Sequence, residues 1–179
     1  MRLAACCLTG AILLWLGLSP ALAKLPETMD EFTARLAEEG TTPEKATHLW
    51  FEALYVFMSD DEETSQPGAE MMTALMCDPD WQKNLTTFLS QIEEKPYIAF
   101  SYPKGATPEN DYQFDKNDFE LEFTRSTKGP TDKDWTLFVK CGGADTPRPY
   151  KMKQSADGIW QMYEFSSLYV GVKKPASLQ

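Results

Sequence analysis

The stretch TPEKATHLWFEALYVFM at residues 42–58 decides the fold predicted for this chain. Thr42 is a typical N-cap residue, and Pro43 at the next position favours the first turn of a helix. Apolar residues then recur with the 3.6-residue spacing of a helix over three turns. Phe51 and Tyr55 add apolar surface on the other side. The stretch therefore predicts a helix that is central to the core and contacted on two faces.

Three further helices are predicted in the N-terminal half of the chain. Their apolar stripes place one at 27–39, one at 69–77 and one after the cap formed by Asp78 and Pro79. The acidic stretch 59–68 is predicted to be a solvated loop. Its four consecutive acids raise the alternative of a calcium site, but it lacks the alternating ligand spacing and central glycine of an EF-hand.

After Pro96 the pattern changes from helical spacing to the alternation typical of strands. Alternating or apolar runs predict strands at 97–102, 119–124, 135–141, 150–154 and 159–165. The last two flank Ala156-Asp157-Gly158, which indicates a β-hairpin. The chain is thus predicted to be α+β, with N-terminal helices packed on one face of a C-terminal antiparallel sheet of about four to five strands.

The first 23 residues predict a secretory signal peptide. Arg2 supplies the positive region, residues 11–18 supply the apolar region, and Ala21-Leu22-Ala23 has the small-x-small pattern of a cleavage site. The apolar region is too short to span a bilayer of roughly 30 Å, so no stable membrane insertion is expected after cleavage. We therefore expect a single α+β domain at 24–179 that works in the periplasm or outside the cell.

The formal net charge of −10 becomes −11 when Arg2 leaves with the signal peptide. Such an acidic chain repels nucleic acids and anionic lipids, so neither is expected as a partner. Cationic ligands, cationic proteins and divalent metals are more compatible with it. The simpler interpretation is that the acidic surface keeps an exported protein soluble.

Cleavage would remove two of the four cysteines and leave Cys77 and Cys141. A pair of cysteines in an oxidising compartment predicts one disulfide, here between the third helix and the third strand. Closing this loop would stabilise the fold by up to ~4 kcal/mol. The alternative is a redox or catalytic thiol, which is disfavoured because the chain has no Cys-x-x-Cys and a single histidine, His48.

Residues for catalysis or metal binding are scarce. His48 lies inside the predicted central helix, and the sequence has no Gly-x-Ser-x-Gly elbow that would place a nucleophilic serine. Zinc sites use several histidines or cysteines, which the mature chain lacks. We therefore predict no catalytic residue, no metal and no cofactor, and expect His48 to be a partly exposed helix residue.

Three loops are richer in polar and turn-forming residues than packing requires, at 102–112, 141–149 and 166–172. They are expected to meet at one end of the sheet and form a recognition surface. The residues predicted to bind a ligand there are Tyr102, Lys104, Glu109, Asn110, Asp145 and Arg148. Arg148 has the geometry to bind a carboxylate or phosphate, although a clamp between Asp145 and Arg148 across the turn is the favoured alternative.

The segments GATPEN at 105–110, GGADTPRP at 142–149 and SSLYVGV at 166–172 together resemble a family of uncharacterised exported bacterial domains. The resemblance implies no established activity, so it assigns no catalytic residue. The closing hairpin, MKQSADGIW at 152–160, more weakly resembles that of NTF2-like or cystatin-like domains. In such folds a curved sheet and its helices form a cone-shaped pocket, although four helices before the sheet exceed the usual NTF2-like number.

The sequence favours an exported, non-catalytic binding module for an unknown protein or small-molecule ligand, one version being an acidic protein that neutralises a basic partner. The alternative is a small periplasmic hydrolase that uses a carboxylate pair in the same loops. Its candidate acids are Glu109, Asp111 and Asp145. Two carboxyl groups within roughly 5–9 Å of each other at an open pocket would favour the enzyme.

Overall fold

A computed structural model describes residues 24–60, 62–77 and 81–179 of the chain. The predicted signal peptide at 1–23 and the predicted cap at Asp78 and Pro79 lie outside the described residues. The helices are α1 (Met29–Glu39), α2 (Pro43–Phe57), α3 (Glu62–Ala74), α4 (Trp81–Glu94) and α5 (Tyr97–Phe100). The strands are β1 (Phe123–Lys128), β2 (Asp134–Val139), β3 (Arg148–Gln154) and β4 (Trp160–Glu164). The predicted α+β class, with helices followed by an antiparallel sheet, is confirmed.

Helix α2 is the centre of the core, as its apolar pattern predicts. It begins after Thr42, which has extended backbone angles, with Pro43 in the first turn. Every residue from Leu49 to Val56 is buried. Helix α3 crosses one side of α2, and the hydroxyl groups of Thr47 and Tyr150, 2.8 Å apart, connect the other side to β3.

The four strands form an antiparallel meander in the order β1-β2-β3-β4. Leu137 of β2 and Tyr150 of β3 lie opposite each other in register and are fully buried. The free edge of β4 is covered, because Gly40 and Leu75 accept hydrogen bonds from its backbone N–H groups. Strand β1 is largely exposed and forms the other edge. Within the described residues no helix is long and apolar enough to cross a membrane.

Two predicted elements are wrong. The run 97–102 contains the short helix α5 rather than a strand, since Pro96 already has helical backbone angles and Tyr55 donates a hydrogen bond to the Ala99 carbonyl at 3.2 Å. The stretch 59–68 is not a loop throughout, because α3 begins at Glu62. Acidic residues are favourable in the first turn of a helix, where they meet the positive end of its dipole.

The second predicted strand, at 119–124, overlaps β1 only at its end. Strand β1 starts at Phe123, and the preceding residues make a single isolated bridge between Pro103 and Leu121. Phe119 is instead buried against α2, with its ring 4.4 Å from that of His48. The alternation of apolar and acidic residues at 119–124 therefore follows from the packing of Phe119 against α2, and not from a position in the sheet.

The structure contradicts the disulfide predicted between Cys77 and Cys141. The two sulfur atoms are not joined. Cys77 lies beside β4, where its N–H donates to the Met162 carbonyl, and the sheet register places Met162 level with Trp135. Cys141 follows Trp135 by six residues, which is about 20 Å along a strand. Disulfides require Cα atoms within ~7 Å, and the Cys141 sulfur instead lies 3.1 Å from the Ser101 hydroxyl.

Candidate functional site

The three loops predicted to converge are joined by hydrogen bonds at one end of the sheet. We call residues 101–112, 141–149 and 166–173 the loop cluster. The Gly142 N–H donates to the Ser101 carbonyl at 2.8 Å, and the Lys173 N–H donates to the Gly143 carbonyl at 2.9 Å. The Tyr112 hydroxyl donates to the Lys173 carbonyl at 2.7 Å. These cross-links connect all three loops into one packed unit.

Two residues of the loop cluster, Gly142 and Asn110, are explained by their close contacts with the backbone of its first loop. A Cβ atom at Gly142 would overlap the carbonyl oxygen of Ala106, so only glycine allows the two chains to approach this closely. Asn110 closes the turn that begins at Thr107: its side-chain oxygen accepts from the Thr107 N–H at 2.8 Å, and its amide nitrogen donates to the Gly105 carbonyl at 3.0 Å. Asn110, predicted to bind a ligand, thus uses both ends of its amide to hold the loop.

Tyr102 is also part of the frame. Its side chain is buried, with 3 % of its surface exposed, and its hydroxyl donates a short hydrogen bond to the Leu168 carbonyl. Burial raises the pKa of the Tyr102 phenol well above its usual value. A buried, hydrogen-bonded phenol is inaccessible to a ligand, so Tyr102 connects two loops from the inside.

The exposed part of the loop cluster is charged. Lys104 forms an ion pair with Glu120 at 2.8 Å, and Asp145 forms one with Lys173 at 2.6 Å. The hydrogen bond from Lys173 lowers the pKa of Asp145. A hydrogen bond from its own backbone N–H, with a second from the Thr107 hydroxyl, lowers the pKa of Glu109. Both acids are therefore held in the ionised form.

The predicted clamp between Asp145 and Arg148 is wrong. Asp145 pairs with Lys173, and an Arg148 guanidinium nitrogen donates to the Gly171 carbonyl at 2.9 Å. The Arg148 Nε is buried and has no hydrogen-bond partner within the described residues. Both side chains thus hold the segment after β4, which was expected to lie near this turn, although the two contacts themselves were not predicted.

Several clefts lie beside the loop cluster, and two of them adjoin Lys104. One of about 180 Å³ runs between Lys104, Ala106 and Lys140. Another of about 320 Å³ lies on the other side of Lys104 and is lined by aromatic and acidic residues of the segment 113–120. Within residues 24–60, 62–77 and 81–179, no three histidine, cysteine or acidic side chains are grouped so that they could hold a metal ion.

A charged cluster that the sequence analysis missed lies under α1 and α2. Glu52 is fully buried, and Arg35 binds both of its carboxylate oxygens, at 2.5 and 2.9 Å. The His48 Nδ1 lies 2.9 Å from the same carboxylate. The spacing of His48 and Glu52, one turn apart on α2, was a usable signal. The contribution of Arg35 from α1 depends on tertiary packing.

Burial lowers the pKa of His48, but hydrogen bonds to the Glu52 carboxylate and to the Phe119 carbonyl outweigh it, and the net shift is upward. The ring is also stacked on the Phe119 ring, with an angle of 7° between the planes. His48 therefore connects α2 to the segment that precedes β1, rather than facing solvent alone.

Comparison with curated proteins and with solved structures found no match to this chain. One family profile matches residues 24–176, which is nearly the whole of the chain described above. This match confirms that the chain belongs to a family without known activity, as predicted. The chain belongs to the family described as Domain of unknown function (DUF6935).

Proposed function

We propose that this protein is an exported, non-catalytic binding module that acts in the periplasm or outside the cell. The signal pattern in residues 1–23 supports export, and the family match agrees with it by starting at Lys24. We also propose that its relatives are exported bacterial domains. The likeness to NTF2-like or cystatin-like domains remains a prediction.

The interlocked loop cluster is the observation that carries this proposal. Hydrogen bonds between Ser101 and Gly142 and between Gly143 and Lys173 hold the loops in one arrangement. The backbone of such a frame loses little conformational entropy when a partner binds, because it is already ordered. Lys104, Glu109 and Asp145 are exposed on this frame. The frame is held together by hydrogen bonds from Tyr102, Asn110 and Arg148.

The proposed partner is a cationic protein or ligand. Residues 24–122 contain 22 acidic and 7 basic side chains, so the helical part of the chain is strongly acidic. The lowered pKa values of Glu109 and Asp145 keep these carboxylates charged to low pH. Opposite charge accelerates association and selects against anionic partners.

The lowered pKa values of Glu109 and Asp145 favour binding over hydrolysis. A glycosidase that uses a carboxylate pair needs one acid with a raised pKa to donate a proton. The pKa values of Glu109, Asp145 and Glu120 are all shifted downward, by hydrogen bonds from Thr107 and the backbone, from Lys173 and from Lys104. These three acids are therefore better suited to binding a cation than to donating a proton.

Export is tested by expressing the full chain in a Gram-negative host and fractionating the cells. We expect a periplasmic protein whose N-terminal sequencing begins at Lys24. A Leu14→Arg variant interrupts the apolar region and should remain unprocessed in the cytoplasm. Recovery of the intact chain from the cytoplasm in both cases would contradict the proposal.

Binding is tested with two variants that remove the same number of charges. The double variant Glu109→Gln with Asp145→Asn changes the loop cluster, and Asp132→Asn with Asp157→Asn changes exposed turns at the opposite end of the sheet. Partners captured from periplasmic extract are identified and then titrated with each variant. A basic partner whose Kd rises about tenfold, or ~1.4 kcal/mol, for the first variant alone is expected.

Equal weakening by both double variants would indicate that only net charge matters. In that case the loop cluster is not the recognition surface. Wild-type binding by both variants would contradict the proposal in the same way.

A further inference from the structure

His48 lies between two hydrogen-bond acceptors on opposite sides of its ring. Its Nδ1 is 2.9 Å from Glu52 Oε1, and its Nε2 is 3.1 Å from the Phe119 carbonyl oxygen. A neutral imidazole carries one N–H and donates to only one of the two acceptors. The imidazolium carries two and satisfies both. The site is therefore complementary to protonated His48.

In its hydrogen bond with the His48 ring, Glu52 is the acceptor and not the donor. Its two oxygens accept hydrogen bonds from Arg35, and its side chain is fully buried. Because both oxygens already accept hydrogen bonds from the guanidinium, the carboxylate acts as an acceptor toward the ring as well. The Phe119 carbonyl is likewise only an acceptor, so the second proton must come from His48.

Phe119 belongs to a segment that packs onto α2 mainly through aromatic rings. We call residues 113–120 the aromatic loop. The rings of Phe114 and Phe119 lie 5.1 and 5.0 Å from that of Tyr55. This loop lines the cleft of about 320 Å³ beside Lys104. Its attachment to α2 therefore sets the shape of that cleft.

We propose that His48 is a proton-operated latch for the aromatic loop. The imidazolium holds the Phe119 carbonyl and keeps the loop closed on α2. Loss of one proton removes one of the two hydrogen bonds, because the remaining N–H stays with the charged Glu52. The loop then opens more often, and the cleft beside Lys104 changes with it.

The charged groups around the ring determine the direction of the pH dependence. Glu52 from α2 favours the protonated form and Arg35 from α1 opposes it, while the loop contributes the Phe119 carbonyl. The net result is a folded-state pKa above the ordinary value of 6.5. The latch therefore contributes its full stability below pH 6.5 and loses it as the pH rises through the folded-state pKa.

The test follows the single histidine and the loop in the same sample. The full chain, produced without a histidine tag, has one imidazole signal, which NMR follows from about pH 5 to pH 9. Hydrogen exchange, corrected for the intrinsic effect of pH, measures the opening of amides 113–120 over the same range. We expect a midpoint above 6.5 and an opening constant that rises about tenfold with pH, with no such change in α4.

Two variants distinguish the effect of His48 protonation from a general destabilisation of the aromatic loop. His48→Gln does not titrate and should make loop opening independent of pH. Phe119→Leu removes the stacked ring but keeps the backbone carbonyl, so the pH dependence should remain. The proposal would be overturned if His48 titrated with a midpoint at or below 6.5, or if opening of the wild-type loop did not depend on pH. It would also be overturned if the pH dependence of opening were unchanged in His48→Gln. If His48→Gln does not fold, the two wild-type measurements still decide it.

Discussion

Tyr102 shows how a single polar residue in a loop serves the fold rather than a ligand. The sequence places it in a polar loop, which makes it a candidate for recognition. In the structure its hydroxyl is buried and donates to the Leu168 carbonyl, across 66 positions of the chain. A buried carbonyl needs a donor, and Tyr102 supplies it.

Tyr102→Phe should lower the free energy of unfolding by about 1–2 kcal/mol, since the Leu168 carbonyl then stays buried without this donor. Urea unfolding at neutral pH measures the change. Tyr163→Phe is the matched control, because the half-exposed Tyr163 hydroxyl has no hydrogen-bond partner in the part of the chain that the structure describes. Equal losses for both variants would show that the hydrogen bond to Leu168 contributes little.

The two thiols should differ in reactivity. Cys141 is buried, with 2 % of its surface exposed, whereas Cys77 is partly exposed. In the native protein, iodoacetamide should therefore alkylate Cys77 first, and Cys141 only after unfolding. Mass spectrometry of the peptides gives the result. A disulfide-linked peptide from freshly purified protein would contradict the structure at this point.

The packing of α2 against α3 depends on the absence of a side chain. Gly68 lies so close to α2 that a Cβ atom would meet the backbone of Phe57 and the carbonyl oxygen of Ala53. Glycine is otherwise unfavourable in a helix by about 1 kcal/mol relative to alanine. At position 68 the close contact between the two helices therefore favours glycine, whereas helix propensity favours alanine.

Gly68→Ala tests whether the close contact or the helix propensity has the larger effect on stability. We expect a loss of at least ~2 kcal/mol, because the obstructing atoms are backbone and the helices must move apart. Ser90→Ala on the exposed side of α4 is the control, and helix propensity alone predicts a small gain there. Stabilisation by Gly68→Ala in urea unfolding would mean that α2 and α3 are less closely packed than described.

Charge is distributed unevenly over the molecule. Residues 24–122, which form the helices and the first loops, have 22 acidic and 7 basic side chains. Residues 123–179, which form the sheet and the C-terminal segment, have 5 acidic and 9 basic ones. Like charges on the helical part repel one another, and the exposed ion pairs contribute little in compensation.

Screening should therefore stabilise the protein. Raising NaCl from about 20 mM to about 500 mM shortens the Debye length well below the spacing of most surface charges. We expect the Tm to rise by about 2–4 °C in calorimetry. Removing two acids at the end of α4 with Glu93→Gln and Glu94→Gln should reduce this rise, whereas a Tm that falls with salt would contradict the argument.

The sequence by itself determined the succession of N-terminal helices and C-terminal strands and the central position of α2. Periodicity, the cap at Thr42 and the turn at Ala156-Asp157-Gly158 are local signals, and they act over a few residues. They also mark loops that converge, because every second connection of an antiparallel meander lies at the same end of the sheet, which brings the connection between β2 and β3 together with the segment after β4.

Only the tertiary structure decided how particular side chains are used. It placed Cys77 and Cys141 far apart, paired Asp145 with Lys173, and buried Glu52 between Arg35 and His48. The partners in these contacts come from different elements, and their distances depend on how the helices and the sheet pack. No local pattern contains that information, since burial and pairing are properties of the assembled core.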